Sequence, residues 1–303
     1  MNPSEFQIRG VITALVTPFD DQGRVDEDAL QRLVEYQIRA GVHGLNPCGT
    51  TGEHALLTSE ERMRVAEIVV RTARRRVPVF VQTGTAATDG TIALTRHAQK
   101  IGADAATVVT PFYYHPGDGM IEHYARVAQS VSDFPVFLYN IPQMTGNNLS
   151  PALVAAIVER CPNVVGMKDS SGNLQQVIES VSLRGGHFNV AMGSDGLVLS
   201  ALVTGVQASV SGNANVFPEL FVELFQAFWR GDLPAAQSAQ ARIQHVRRIL
   251  KDGGDLSLFK AILTRRGLPL GGVRSPLVNA SPQTVDACVN ALDSVGLEVK
   301  AIS

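Results

Sequence analysis

Cysteine is scarce in this chain: Cys48, Cys161 and Cys288 are the only three in 303 residues, and they stand far apart. An odd count at wide spacing argues against a disulfide framework, and without a CxxC pair it argues against a thiolate metal site as well. A reducing, cytoplasmic location is the simplest reading. Long hydrophobic runs are missing too. No apolar stretch approaches the roughly 20 residues that a membrane helix needs. The opening MNPSEFQIRG has no apolar core of the kind a signal peptide carries. Neither sign of charge dominates: the net charge is -2, and no basic block or basic–aromatic stripe points to nucleic acid. No GxGxxG follows a β-rich run, and no Gly-Lys-Ser/Thr closes a phosphate loop, so nucleotide fingerprints are absent. The seven histidines form no HxxxH or HxH set, and no metal site is expected.

What is present is a globular composition, 45% hydrophobic and 18% charged, enough for a large core. Short β-rich runs alternate with helical stretches: Val11–Phe19, Gly44–Gly49, Val77–Gly84, Ala105–Pro111, Pro135–Pro142, Val164–Ser171, Asn189–Asp195 and Gln207–Gly212. Several, such as VPVFV and FPVFLYNIP, are continuously apolar, as strands buried on both faces of a parallel sheet are. Thr58 with Glu61 three residues on reads as a capping box. Ser150 followed by Pro151 reads as another helix start. Eight strand–helix units in about 212 residues fit an α/β fold of the (β/α)8 TIM-barrel type. A doubly wound open sheet ranks lower. Beyond Phe217 the β signal stops, and Phe217–Arg230, Pro234–Lys251, Leu256–Arg265 and Pro282–Val295 read as helices. The expected organisation is therefore a barrel over residues 1–216 and a C-terminal helical extension over 217–303.

Active sites of such barrels lie at the C-terminal ends of the strands. Four groups of reactive residues fall there: Gly49-Thr50-Thr51-Gly52-Glu53, Phe112-Tyr113-Tyr114, Tyr139-Asn140 and Lys168-Asp169. Lys168 sits in the apolar run VVGMKDSSG. Desolvation favours the neutral amine, which is the form that attacks a carbonyl carbon. Taken alone, a strand-end lysine more often snorkels to solvent or pairs with its neighbour, here Asp169. The turn from Gly49 offers backbone N–H groups and the hydroxyls of Thr50 and Thr51, which can hold a carboxylate; the plainer alternative is a Gly-rich turn leading into a helix. Tyr139 could relay a proton, though a lone tyrosine after PVFL is more often core. Tyr113 and Tyr114 lie in a loop that could equally serve a subunit contact. His54 lies close enough in sequence to the turn to reach the same site.

Together GTTGE, TPFYY, YNIP and GMKD resemble the dihydrodipicolinate synthase / N-acetylneuraminate lyase family in order and spacing, and the likeness runs from GVITALVTPFD to GGVRSPL. The resemblance implies a (β/α)8 barrel with a helical extension, a homotetramer built as a dimer of dimers, and a pyruvate-dependent class I aldolase that needs no cofactor. It implies an imine between Lys168 and pyruvate, proton transfer by Tyr139, and Thr50 and Thr51 holding the pyruvate carboxylate and linking the proton relay, which makes Thr50 catalytic as well as substrate-binding. It further implies Tyr113 reaching a neighbouring subunit's site and the main chain near Val210 facing the bound pyruvate. One position departs from the lysine-pathway synthase, which carries an arginine after YNxP for the carboxylate of aspartate semialdehyde. Here Met144 stands there, and a thioether cannot make a bidentate carboxylate contact. The GMKDSSGN run resembles 4-hydroxy-2-oxoglutarate aldolases, and GSDGLVLSALVTGVQASVSGNANVFPE resembles 2-keto-3-deoxygluconate aldolases. The expected reaction is therefore reversible cleavage of a 2-keto-3-deoxy sugar acid or 4-hydroxy-2-oxo acid to pyruvate and an aldehyde. The alternatives are the synthase and a sugar-acid dehydratase. If the lysine-pathway substrate were used, Arg274 is the cation left to hold its carboxylate.

Overall fold

The structure, a computed structural model, describes residues 3–301. Strands and helices alternate as β1 (Gly10–Ala14), α1 (Glu27–Arg39), β2 (Gly44–Asn46), α2 (Ser59–Ala73), β3 (Phe80–Gln82), α3 (Thr88–Lys100), β4 (Ala105–Val109), α4 (Gly119–Gln129) and β5 (Val136–Asn140). There follow α5 (Pro142–Thr145), α6 (Pro151–Arg160), β6 (Val164–Asp169), α7 (Leu174–Val181), α8 (Leu183–Gly186), β7 (Asn189–Met192), α9 (Val198–Val203) and β8 (Ala208–Ser211). Then come four helices: α10 (Pro218–Trp229), α11 (Leu233–Ile249), α12 (Leu256–Arg265) and α13 (Pro282–Ser294). This is the (β/α)8 barrel fold with a C-terminal helical part.

All eight expected strands are found, each shorter than its apolar run. β1 stops at Ala14 rather than Phe19, and β3 spans Phe80–Gln82 rather than Val77–Gly84. After β1 to β4 apolar character outlasts ladder pairing, and the run continues as buried loop past the strand end. Every strand residue is buried, as a parallel sheet covered on both faces requires. Both helix starts behave as read. The Thr58 hydroxyl accepts from Glu61 N at 3.2 Å, while Thr58 N donates to the Glu61 carboxylate at 2.9 Å. Ser150 caps α6 by accepting from Leu153 N, with Pro151 in the first turn.

Two compact units divide the chain. One comprises the residues up to Gly10 with Val79–Val210; the other comprises Val11–Pro78 with the chain from Ser211 on. In the first unit β3 to β8 pair successively, each parallel to the next. Phe6 packs edge-on against Phe80 and Phe137, and the Asn189 carboxamide ties that segment down by accepting from Ile8 N and donating to Phe6 O. In the second unit β1 and β2 form a parallel pair. The Asn215 side chain there accepts from Val16 N and donates to the carbonyls of Ala14 and Gly212.

Two buried histidines make stability depend on pH. Burial, aided by Arg126, pulls His123 down to about 4; burial, aided by Arg62, pulls His54 down to about 3. Both imidazoles stay neutral in the folded chain as the pH falls through 6.5, while the unfolded chain takes up protons there. Their contribution is complete above that value and is lost as the pH falls towards 4. For His123 the gap amounts to about 3 kcal/mol. Urea unfolding midpoints are expected to decline from pH 7.5 to 5, with a shallower decline in His123→Asn. A midpoint independent of pH would refute this.

Candidate active site

In the first unit, strand register brings the two central residues together. Val109, Tyr139, Lys168, Ala191 and Ala208 are Cα partners across β4 to β8, so their side chains share one face of the sheet. Lys168 is only 6% exposed, and its Nζ lies 4.1 Å from the centroid of the Tyr139 ring. The ring is itself packed with Val109 and Ile141. On the other side of Lys168 the register partners are two alanines, which leave room beside the amine. Gly166, two residues earlier on the same face, has to be glycine: a Cβ there would come within 2.4 Å of the Phe137 ring. By the same alternation Val210 shares the face of Ala208 and is buried.

Asp169 is not the counter-ion of Lys168. It faces the opposite side of β6, where its carboxylate accepts from Asn140 at 2.9 Å, from Gln176 at 2.8 Å and from both the backbone N–H and the hydroxyl of Ser171. Its oxygens are taken up by hydrogen bonds from β5, α7 and Ser171, and the amine of Lys168 lies over an aromatic face.

The turn after β2 belongs to the second unit. Gly49, Thr50 and Thr51 lie between two non-glycine residues with left-handed backbone, Cys48 at φ 60° and Glu53 at φ 58°. Gly52 N and His54 N donate to Gly49 O, Glu53 N donates to Thr50 O, and the Thr17 hydroxyl donates to Gly52 O at 2.7 Å. Gly52 admits no side chain, since a Cβ would sit 2.9 Å from Leu15 O. His54 is buried in the short helical turn that follows.

Tyr113 lies in the first unit, in the loop between β4 and α4. It is 83% exposed, has φ 79°, and stacks edge-on with Tyr114. The Asn147 side chain pins this loop by donating to the carbonyls of Pro111 and Tyr114. Met144 is 65% exposed on α5. Arg274 does not stand free as a substrate cation. Its guanidinium holds both Glu61 oxygens at 2.6 and 2.7 Å and donates to the carbonyls of Leu56 and Gly23. Among the described residues no cluster of His, Cys, Asp or Glu could hold a metal, and no helix is long and apolar enough to cross a membrane.

One residue pair escapes a reading by strand ends. Lys260 of α12 is 1% exposed, and its Nζ lies 2.6 Å from a carboxylate oxygen of Glu53. Burial pulls the Lys260 amine below the ordinary lysine value, and Glu53 opposes that shift. Its signal was present in LSLFKAIL, a lone lysine inside an apolar helical run.

The protein is an enzyme of the class I carbon–carbon lyases, which work through a lysine Schiff base. It belongs to the dihydrodipicolinate synthetase family, whose model matches residues 7–295. The 4-hydroxy-tetrahydrodipicolinate synthase of Rhizobium meliloti is 39% identical over 289 residues, covering 95% of this chain and 98% of that protein. The dihydrodipicolinate synthase of Aquifex aeolicus superposes with a TM-score of 0.90 at 34% identity, over 96% of this chain and 99% of that one. YagE, a prophage protein of the same family from E. coli K12 solved in complex with pyruvate, gives 0.91 at 29% identity over 96% and 99% of the two chains.

Proposed function

We propose that this enzyme is a pyruvate-dependent aldolase in which Lys168 forms the imine. The observation that carries this reading is the buried Lys168 amine lying on the Tyr139 ring with no carboxylate from Asp169 beside it. The neutral amine attacks the ketone carbon of pyruvate, and water leaves to give a protonated imine. The imine withdraws electrons from the adjacent methyl carbon, which loses a proton and becomes an enamine. The enamine carbon attacks an aldehyde, and hydrolysis releases a 4-hydroxy-2-oxo acid and restores Lys168. Tyr139 carries protons to and from the adduct; Thr50 and Thr51, with the backbone from Gly49, take the pyruvate carboxylate; and the main chain at Val210 faces the bound pyruvate. The exposed pair Tyr113–Tyr114 suits a contact with a second copy of the chain, within a homotetramer. Three free, buried thiols suit a reducing cytoplasm.

The second substrate is read from Met144 and Arg274. With methionine after YNIP and Arg274 bound to Glu61, neither position offers a guanidinium to a carboxylated aldehyde. An uncharged hydroxyaldehyde, as released from a 2-keto-3-deoxy sugar acid, fits this better. The second reading is 4-hydroxy-tetrahydrodipicolinate synthase, which the names of the relatives favour. A panel of aldehydes with pyruvate decides between them. Turnover with glyceraldehyde is expected to exceed that with aspartate semialdehyde by about tenfold or more, the loss of one charge-assisted contact. Preference for aspartate semialdehyde would overturn the reading of Met144.

A further inference from the structure

We propose that Glu53 and Lys260 are positioning residues that set the turn carrying Thr50 and Thr51, so that the C-terminal helical part determines pyruvate affinity. This rests on the carboxylate role given to that turn above. The pair is fully enclosed: the side chains of Lys260 and Glu53 are 1% and 0% exposed, at 2.6 Å. Every remaining valence faces a named group. Lys260 Nζ also donates to Gly272 O at 2.7 Å and lies 4.2 Å from the centroid of the Phe19 ring. The second Glu53 oxygen accepts from Arg274 N at 2.8 Å. Arg274 stacks on the same Phe19 ring at 4.5 Å and fixes Glu61 of the α2 capping box, so the segment on both sides of His54 is clamped from the C-terminal part of the chain.

Stability alone does not call for this arrangement. A buried ion pair gains little over a well-packed apolar pair, because two charges have been taken from water; what it fixes is geometry. Geometry is what the turn needs, since Cys48 and Glu53 hold left-handed backbone that side chains disfavour. A second contact comes from the residue next to Lys260. A Cβ added to Gly212 would lie 3.0 Å from the Thr51 hydroxyl and 3.3 Å from the Phe259 ring. Phe259 and Thr51 thus both close on Gly212, while Lys260 takes Glu53 two residues further along the turn. Lys260 holds the turn directly at Glu53, and Phe259 bounds Gly212, which Thr51 also approaches.

The test uses the full chain as Glu53→Gln, Lys260→Met, the double variant and the milder Phe259→Leu. Each single charge change strands a buried partner and lowers the unfolding midpoint; the double variant removes both charges and recovers part of that loss. The quantity read is the pyruvate concentration giving half-maximal borohydride trapping on Lys168, alongside KM for pyruvate, KM for the aldehyde and kcat. In the folded double variant the half-trapping concentration and the pyruvate KM are expected to rise on the order of tenfold or more, as small displacements of binding groups do. The aldehyde KM should stay within about twofold of the parent, and Phe259→Leu should move the pyruvate constant in the same direction. Half-trapping at the parent concentration in the double variant and in Phe259→Leu would overturn the proposal. So would equal losses in both KM values and kcat, which mark general loosening. A parent protein that is not trapped at any pyruvate concentration would instead remove the imine reading, and this inference with it.

Discussion

Lys168→Ala is expected to lower turnover by roughly 10⁴-fold or more, the scale on which removal of a covalent nucleophile acts. The substitution is well suited to a clean reading. Lys168 stands beside Ala191 and Ala208 in register, so a third alanine introduces no clash, and the Asp169 network on the opposite face is untouched. The parent protein treated with pyruvate and borohydride should gain one reduced adduct per chain, mapping to the peptide that holds Lys168, and the variant none. Lys260 is the informative control, being the other buried lysine. Its amine donates to Glu53 and to Gly272 O inside an enclosed pair, so it is not placed to meet a substrate carbonyl. An adduct on Lys260, or full trapping in Lys168→Ala, would overturn the assignment.

The second large effect belongs to Tyr139. Tyr139→Phe keeps the ring that packs with Val109 and Ile141 and carries the Lys168 amine on its face, and removes only the hydroxyl. Loss of a general acid–base group costs about 10²- to 10⁴-fold. The loss should fall on the proton steps. Exchange of the pyruvate methyl hydrogens with deuterated water, followed by NMR, isolates imine formation and enamine formation from the aldehyde step. It should slow by a comparable factor, while the thermal midpoint moves little. Exchange at the parent rate would show that the hydroxyl is a bystander.

The alternation of apolar strands with capped helices was readable from local patterns, because burial on both faces of a parallel sheet leaves a run of apolar residues that no half-exposed strand would carry. Thr58–Glu61 and Ser150–Pro151 were readable for a similar reason: capping chemistry is complete within four residues. Strand ends were not, since apolar character in Val11–Phe19 continues beyond the last ladder partner at Ala14. The chemistry available to Lys168 was readable too, as a lone amine in an apolar strand. Its partner was not. On sequence grounds solvent and Asp169 were the plain alternatives, and only the packing of Gln176 from α7 and Asn140 from β5 took that carboxylate away.

Arg274 and Lys260 make the same point over longer distances. Arg274 looked like a spare cation for a substrate carboxylate, and it is bound to Glu61. Lys260 was one charge in an apolar helix, and its carboxylate lies 207 positions earlier in the chain. By itself the sequence determined the fold class, the helix starts and the set of groups able to do chemistry, all properties of periodicity and residue type within a few neighbours. Which charge meets which was decided only by tertiary structure, because a buried ion takes its partner from whatever the folded chain places within about 4 Å, and sequence distance has no part in that choice.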